Sequence, residues 1–310
     1  MEKLREREPQ RLGGVLASAP SLAVQFFLIP LAVVGVVVAI YGGFRLMVAD
    51  ERTPEEYLND VRSGGRDRRW PAAFELSRLM SDPETESRYP GLGLALLRAF
   101  IDSADDDPRI RRYLALAIGR LQGPPADTIE TLTDALDGSD SETLISIVWA
   151  LASLGDETAV PGIVSMYQSS DGGVRKMAVY ALGVLPDDGA HTTLRAALDD
   201  PVPDVQWNAA IGLARHGDPR GARVLRRMLD REYVAGLVTP SERMIDPTGD
   251  VMVSGLRAVA ALGAVNLEVN LRDPVAVLAE SDESLKVRQA ALETLEVLEG
   301  MPFSRNVAER

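Results

Sequence analysis

The chain has 310 residues, of which 46% are hydrophobic and only 5% aromatic, so it can bury a large core built mainly from aliphatic side chains. Its net charge of −13 argues against a general affinity for nucleic acid, because phosphate binding requires a basic surface that displaces counterions. The absence of cysteine excludes disulfides, thiolate metal sites and cysteine nucleophiles.

The first predicted element is a transmembrane helix over residues 21–48, preceded by an N-terminal tail over residues 1–20. Residues 22–43 are almost entirely apolar, and at about 1.5 Å rise per residue they are long enough to cross about 30 Å of hydrocarbon. A cleavable signal would have a shorter apolar region followed by a small-residue cleavage site. We therefore predict an uncleaved single-pass anchor in the inner or plasma membrane.

Three small residues spaced by four, Gly35, Ala39 and Gly43, lie on one face of this predicted helix. They would let a second helix approach closely, which predicts an integral membrane protein subunit as partner. The alternative is that Gly and Ala are incidental in a membrane helix. Basic residues are equally frequent on the two sides of the predicted membrane helix, so their count does not decide its orientation. The short N-terminal tail favours a solenoid outside the cytoplasm, and a cytoplasmic solenoid is the alternative.

After residue 49, one pattern recurs along the chain. Counted from an apolar first residue, the pattern has an apolar or small residue at +4, a small residue at +7, Leu or Ile at +8 and a small residue at +9. The pattern is clear in residues 110–121, 174–185 and 205–216. The +9 position marks seven units: Ser77, Gly119, Ala152, Gly183, Ala214, Gly263 and Glu296. We predict seven helical hairpins over residues 49–300, insertions near 82–90 and 231–250, and a C-terminal tail over 301–310.

Local signals support this division into hairpins. Acidic turns that contain Asp107, Asp140 and Asp171 precede second helices, where carboxylates cap the free N–H groups of the first turn. These acidic runs lack the alternating oxygen ligands of a calcium loop. The small residues at +7 and +9 predict places where neighbouring helices approach closely.

The series Val174-Arg175, Ala178 and Ala181-Leu182-Gly183 resembles the HEAT repeat, and more narrowly the short HEAT-like repeat of phycobilisome lyases. The resemblance extends over residues 53–300. It implies an α-solenoid of about seven HEAT-like helical hairpins. With the transmembrane helix that the apolar run predicts before it, the predicted fold class is all-α. It implies little about function, because the same unit occurs in scaffolds, lyases, hydroxylases and a class of DNA glycosylases.

The sequence offers few residues for catalysis. Its two histidines, His191 and His216, are not followed by Glu, so the His-Glu pairs that hold iron in HEAT-type hydroxylases are missing. We expect His216 in the core and His191 facing solvent. We assign Trp70, Trp149 and Trp207 to packing, because a HEAT-like DNA glycosylase would also need a basic surface. No catalytic, cofactor-binding or metal-binding residue is predicted.

Arginines recur at the +1 position of the second helices: Arg69, Arg111, Arg175 and Arg288. One interpretation is an internal ladder, in which each arginine pairs with an acidic turn. The other is a partner-binding surface for acidic groups, with Arg112 and Lys176 beside it. The insertion at 231–250 adds Glu232, Tyr233 and Met244 as candidate partner-binding residues, since insertions in solenoids often carry specificity. A tolerated surface loop is the alternative.

Together these features predict a membrane-anchored HEAT-repeat scaffold or accessory subunit that mediates protein–protein interaction in a larger membrane complex. We expect neither enzymatic activity, nor a cofactor, nor nucleic acid as a partner. Two alternatives stay open: a HEAT-like lyase-type enzyme subunit, and an exported soluble binding protein.

Overall fold

A computed structural model of the chain describes residues 29–48, 52–186, 189–238, 246–263 and 269–300. The chain divides into two units, Met1–Thr53 and Pro54–Arg310. Within the described ranges the regular elements are helices and no strand occurs, in agreement with the predicted all-α class. The predicted tails, over 1–20 and 301–310, lie outside these ranges.

In the first unit, helix α1 runs over Ile29–Val48. No helix in the described part of the chain is both long and apolar enough to cross a membrane. The structure therefore does not confirm the transmembrane helix predicted over 21–48. That prediction counted an apolar run from Leu22, whereas α1 begins at Ile29 and residues 21–28 lie outside the described ranges.

The small residues of α1 remain candidates for helix packing. Side chains added at Gly35 or Gly43 would meet no described atom within 4 Å, so nothing described fills the strip that these residues form with Ala39. The partner helix thus stays a prediction.

The second unit contains the seven predicted hairpins. Their first helices are α2 (Pro54–Ser63), α5 (Leu92–Asp102), α7 (Thr128–Asp134), α9 (Val160–Met166), α11 (Ala190–Ala197), α13 (Ala222–Met228) and α16 (Arg272–Ser281). Their second helices are α3 (Arg66–Leu79), α6 (Pro108–Ile118), α8 (Ser141–Leu154), α10 (Gly172–Leu182), α12 (Pro203–Arg215), α15 (Pro247–Leu262) and α17 (Leu285–Leu298). Each second helix packs against the next second helix, so the hairpins stack in chain order.

Small residues bring these second helices together. A Cβ atom added at Gly183 would lie 2.7 Å from the Cα of Gly212 on α12. One added at Gly119 would lie 2.7 Å from the Cα of Ala150 on α8. In both contacts the +9 residue of one unit faces the +7 residue of the next, as the pattern predicted.

Aspartates begin several second helices. The side chain of Asp107 accepts a hydrogen bond from the backbone N–H of Arg109, and the pKa of Asp107 falls to about 2 chiefly because Arg109 also donates its side-chain N–H groups. Asp140 and Asp171 accept from N–H groups in the first turns of α8 and α10. These carboxylates satisfy helix ends, which is the role that the sequence predicted.

The two insertions add short helices. The first contains α4 (Glu84–Arg88), and the second contains α14 (Arg231–Ala235). The second insertion ends earlier than predicted, because Asp246 caps α15 by accepting from the N–H of Gly249 at 2.7 Å. Residues 247–250 therefore form the first turn of a second helix and do not belong to a loop.

Candidate functional site

Two of the predicted arginines form an internal ladder between hairpins. Arg69 on α3 donates two hydrogen bonds to Asp106, in the turn before α6, at 2.7 and 2.5 Å. Arg175 on α10 donates two to Asp200, in the turn before α12, at 2.8 and 3.0 Å. Both guanidinium groups are occupied by carboxylates of the chain itself. The structure therefore shows the contacts of the internal ladder for Arg69 and Arg175, and the predicted role of Arg175 in partner binding stays a prediction.

The Arg175–Asp200 pair is well buried, with side chains 13% and 3% exposed. Arg175 also donates to the carbonyls of Ser169 and Ser170, and Asp200 accepts from the N–H of Val202 at 2.9 Å. Burial is the largest single influence on the pKa of Asp200 and raises it. The hydrogen bonds from Arg175 and Val202, with the arginine charge, outweigh burial and leave that pKa below its usual value. Asp200 is thus held as a carboxylate.

Arg112 and Lys176 also make ion pairs within the chain. Arg112 on α6 contacts Glu142, and its guanidinium lies 3.7 Å from Asp140. Lys176 on α10 contacts Asp204 on α12 at 2.5 Å, in a pair that is about half exposed. Exposed pairs of this kind contribute only about 0–1 kcal/mol, so a partner could replace them at little cost. Their predicted role in partner binding stays a prediction.

Arg111 and Arg288 depart from the ladder. The guanidinium of Arg111 stacks over the ring of Phe100, at 4.7 Å from its centroid, and its Nε has no hydrogen-bond partner among the described residues. Burial lowers the pKa of Arg111. Arg288 donates to the backbone carbonyls of Asp282 and Glu283, in the turn that precedes its own helix. Equivalent sequence positions therefore differ in what they bind.

Arg111 lines a cavity of about 730 Å³ beside the turns that precede α6 and α8. Four aspartates line the same cavity: Asp106, Asp134, Asp137 and Asp140. Because these acidic residues outnumber the single arginine, the cavity does not favour an anion.

The second insertion is anchored by Arg231, which the sequence analysis did not single out as a site residue. Arg231 donates to both carboxylate oxygens of Asp282, at 2.9 and 2.6 Å, and thereby ties α14 to the turn before α17. Among the predicted residues, Tyr233 is half-buried beneath the guanidinium of Arg227, Glu232 is exposed, and Met244 lies outside the described residues. This part of the insertion therefore connects two hairpins of the stack, whereas a tolerated surface loop would not need such a contact.

The two histidines lie together. Their ring centroids are 5.0 Å apart, and Nε2 of His216 lies 3.2 Å from the carbonyl oxygen of Leu182. His191 is half-buried, and its Nε2 has no hydrogen-bond partner among the described residues, so the expectation that it faces solvent is wrong. The described residues contain no group of three or more His, Asp or Glu placed to hold a metal ion.

One surface of the second helices is consistently apolar. The residue three positions before each +9 marker is large and apolar in five of the seven units, and in each of the five it is exposed or half-buried: Phe74, Leu116, Trp149, Tyr180 and Ile211. We call these five residues the second-helix surface. Phe74 and Tyr180 are 36% and 37% exposed, which is unusual for aromatic side chains within a packed stack.

Aromatic contacts connect neighbouring helices on this surface. The rings of Phe74 on α3 and Tyr113 on α6 meet edge to face, with centroids 5.2 Å apart. The guanidinium of Arg120, just beyond α6, lies 5.2 Å from the ring centroid of Trp149 on α8. Farther along, Tyr180 and Ile211 line one cavity of about 250 Å³ with residues of α15, and no first-helix residue contributes to it. The second helices from α3 to α15 thus offer aromatic and apolar groups in successive hairpins.

Part of the repeat region is similar to a known repeat family. A family model described as HEAT repeats matches residues 94–183 and, in a second match, residues 160–237. No curated protein matches the chain.

Several solved structures are similar to this chain. A designed armadillo repeat protein in complex with the peptide (KR)4 is 18% identical, with a TM-score of 0.41, over 80% of this chain and 99% of that chain. A second designed armadillo repeat protein is 19% identical, with a TM-score of 0.41, over 80% and 100%. Human deoxyhypusine hydroxylase in complex with glycerol is 14% identical, with a TM-score of 0.34, over 80% and 96%. We draw no argument about function from likeness at this level.

Proposed function

We propose that this chain, which contains HEAT repeats, is a scaffold that binds a partner protein through its second-helix surface. The observation that carries the proposal is the recurrence of large apolar side chains at one position in five consecutive hairpins. Single exposed apolar residues are common on proteins, but an aligned set forms a contiguous patch of the kind that marks an interaction site. A stacked solenoid offers such a patch as an extended binding surface.

We also propose that the chain has no catalytic activity of its own. Several charged side chains serve structural roles: Arg69 and Arg175 tie hairpins together, and Asp107 caps a helix. A HEAT-like lyase-type enzyme would need a chromophore or substrate pocket, and the cavity beside Arg111 mixes opposite charges without an aligned reactive group. Binding is the function that the geometry supports better.

Substitutions on the second-helix surface should test the scaffold function. In the full chain, Phe74→Ser with Tyr180→Ser should lower the recovery of co-purifying partner chains by about tenfold, since buried aromatic anchors often carry much of the binding energy. The matched control is Leu94→Ser with Val277→Ser, two exposed apolar residues on the first helices α5 and α16. Equal losses in the two variants, or no loss in either, would contradict the proposal.

We further propose that α1 belongs to a membrane anchor over residues 21–48, which would place the scaffold in a membrane complex. Its support is the exposure of α1: large apolar side chains from Leu31 to Tyr41 are each 57% to 67% exposed. Apolar surface in water costs about 25 cal/mol per Å², so a helix of this kind needs lipid or another helix to cover it. The strip of Gly35, Ala39 and Gly43 would suit an integral membrane subunit.

Extraction of membranes with carbonate tests the anchor. We expect the full chain to stay in the membrane pellet, because exposing its apolar segment to water is unfavourable. Val34→Arg with Val38→Arg should release the chain, since an arginine at the centre of a membrane helix costs about 2.5–3.5 kcal/mol. Recovery of the unaltered chain in the supernatant would contradict the anchor and would favour a soluble binding protein.

A further inference from the structure

Two arginines on the second helices stand apart from the ladder. Arg215, at the end of α12, and Arg257, on α15, are exposed, and neither makes an ion pair or a hydrogen bond with a described residue. By contrast, Arg175 on α10 is fully occupied by Asp200 and backbone carbonyls. In a chain with a net charge of −13, two adjacent free guanidinium groups form a local basic site.

These arginines lie in a defined cavity. Arg215 and Arg257 line the 250 Å³ cavity between α10, α12 and α15, together with Tyr180, Asn208 and Ile211. No acidic residue lines this cavity. An anionic group that enters it would therefore meet two cations without competing against a carboxylate in the wall. Guanidinium groups bind carboxylates in a bidentate geometry, which adds both strength and specificity.

A second cavity of about 230 Å³ continues from the first, and the two share Asn208, Ile211 and Ser254. The half-buried side chains of Ile211, Pro247 and Val251 give this end of the groove an apolar wall, whereas Trp207 and Met228, which also line it, are buried.

The acidic residues at the apolar end are already neutralised. Asp204 is paired with Lys176, and Asp250 is paired with Lys286. The two cavities thus form one groove, with an apolar end beside Val251 and a basic end beside Arg215 and Arg257.

We propose that this groove binds an extended segment of the partner protein that carries an acidic side chain and an apolar side chain. This inference rests on the scaffold function proposed above, and it names the chemistry that the scaffold recognises. The acidic side chain binds Arg215 and Arg257, and the apolar side chain packs against Ile211, Pro247 and Val251. Salt screens the attraction of the exposed arginines at longer distances, so they act mainly on a side chain that lies within the groove. There they favour an acidic side chain over a neutral or basic one.

The groove also sets the spacing of the two side chains. Val251 and Arg257 are six residues apart on α15, which corresponds to about 9 Å at 1.5 Å per residue. An extended peptide covers that distance in about three residues, at about 3.3 Å each. The recognised segment therefore has its acidic and apolar side chains about three positions apart.

A library of random ten-residue peptides displayed on phage tests this inference when it is selected on the purified full chain. We expect enrichment of peptides with Asp or Glu about three positions from Leu, Ile or Phe. Arg215→Gln with Arg257→Gln should weaken binding of an enriched peptide by about tenfold or more, as measured by fluorescence anisotropy. The matched control is Arg223→Gln with Arg226→Gln, which removes two exposed arginines from the first helix α13 and should change affinity less than about twofold.

A charge reversal makes the test specific. Selection on the Arg215→Glu, Arg257→Glu chain should replace the acidic position of the enriched peptides with Lys or Arg. Enriched peptides without an acidic residue, or equal losses in the groove and control variants, would overturn the inference. Binding that survives the groove substitutions but falls with Phe74→Ser overturns the groove and leaves the scaffold function intact. Absence of any enriched peptide, with partner recovery unaffected by Phe74→Ser and Tyr180→Ser, overturns both.

Discussion

Replacing Gly183 with leucine should lower the free energy of unfolding by about 3 kcal/mol, because the new side chain has no room between α10 and α12. A Cβ at this position already falls 2.7 Å from the Cα of Gly212, which is a backbone atom that cannot move aside without shifting its helix. The whole stack depends on such contacts, since each hairpin is held mainly by its neighbours.

Chemical denaturation of the full chain, followed by circular dichroism, measures this effect. The control is Gly65→Leu, at an exposed position where an added side chain meets no described atom within 4 Å, and it should cost less than about 1 kcal/mol. Gly249, which the sequence placed in a loop, would be a poor control because it lies in the first turn of α15 against Asp246. Equal losses for Gly183→Leu and Gly65→Leu would show that the helices do not meet at Gly183.

Replacing Arg175 with methionine should cost about 3–5 kcal/mol at neutral pH, because it leaves the carboxylate of Asp200 buried without its cation. Asp200 is only 3% exposed, so water cannot take over the role of the arginine. The control is Lys176→Met, which breaks the neighbouring exposed pair with Asp204 and should cost less than about 1 kcal/mol.

The loss in Arg175→Met should also depend on pH. Because Arg175 helps to hold the pKa of Asp200 below its unfolded value of about 3.9, the pair stabilises the fold fully above that pH. The contribution disappears as the pH falls further, through the lowered pKa of the folded state. Without Arg175, burial raises the pKa of Asp200, so acidification relieves the variant while it weakens the wild type. The difference in stability between wild type and Arg175→Met should therefore be largest near neutral pH and shrink as the pH falls. A difference that grows on acidification would contradict this assignment.

The repeat pattern made the fold predictable. The +9 marker located all seven second helices, and it is a small residue in six of them, Glu296 in the last unit being the exception. A small residue is needed where two helix backbones touch, as at Gly183 and Gly212. The end of the second insertion could not be placed, because Asp246 and Gly249 form a cap that the pattern does not contain. The meeting of His191 and His216 depends on how consecutive helices turn, which spacing alone does not specify.

The binding surface was only partly predictable. Arg111 and Arg175 occupy equivalent positions in the sequence pattern, so the pattern could not predict their different contacts. Arg175 pairs with a carboxylate in the next turn, whereas Arg111 lies over the ring of Phe100. Three-dimensional pairing decides which charges are free. The second-helix surface was visible in the sequence, three positions before each marker, but its large side chains are also typical of a core. Their exposure in the structure distinguishes the two.

Photo-crosslinking in living cells tests the scaffold function most directly. A photoreactive phenylalanine analogue replaces Tyr180 on the second-helix surface in one strain and Val277 on the first helix α16 in another. Both side chains are exposed, so both positions accept the analogue without disturbing the core. We expect a discrete crosslinked partner from position 180 and none from position 277. Crosslinking to the same partner from position 277 alone, or from neither position, would contradict the scaffold function.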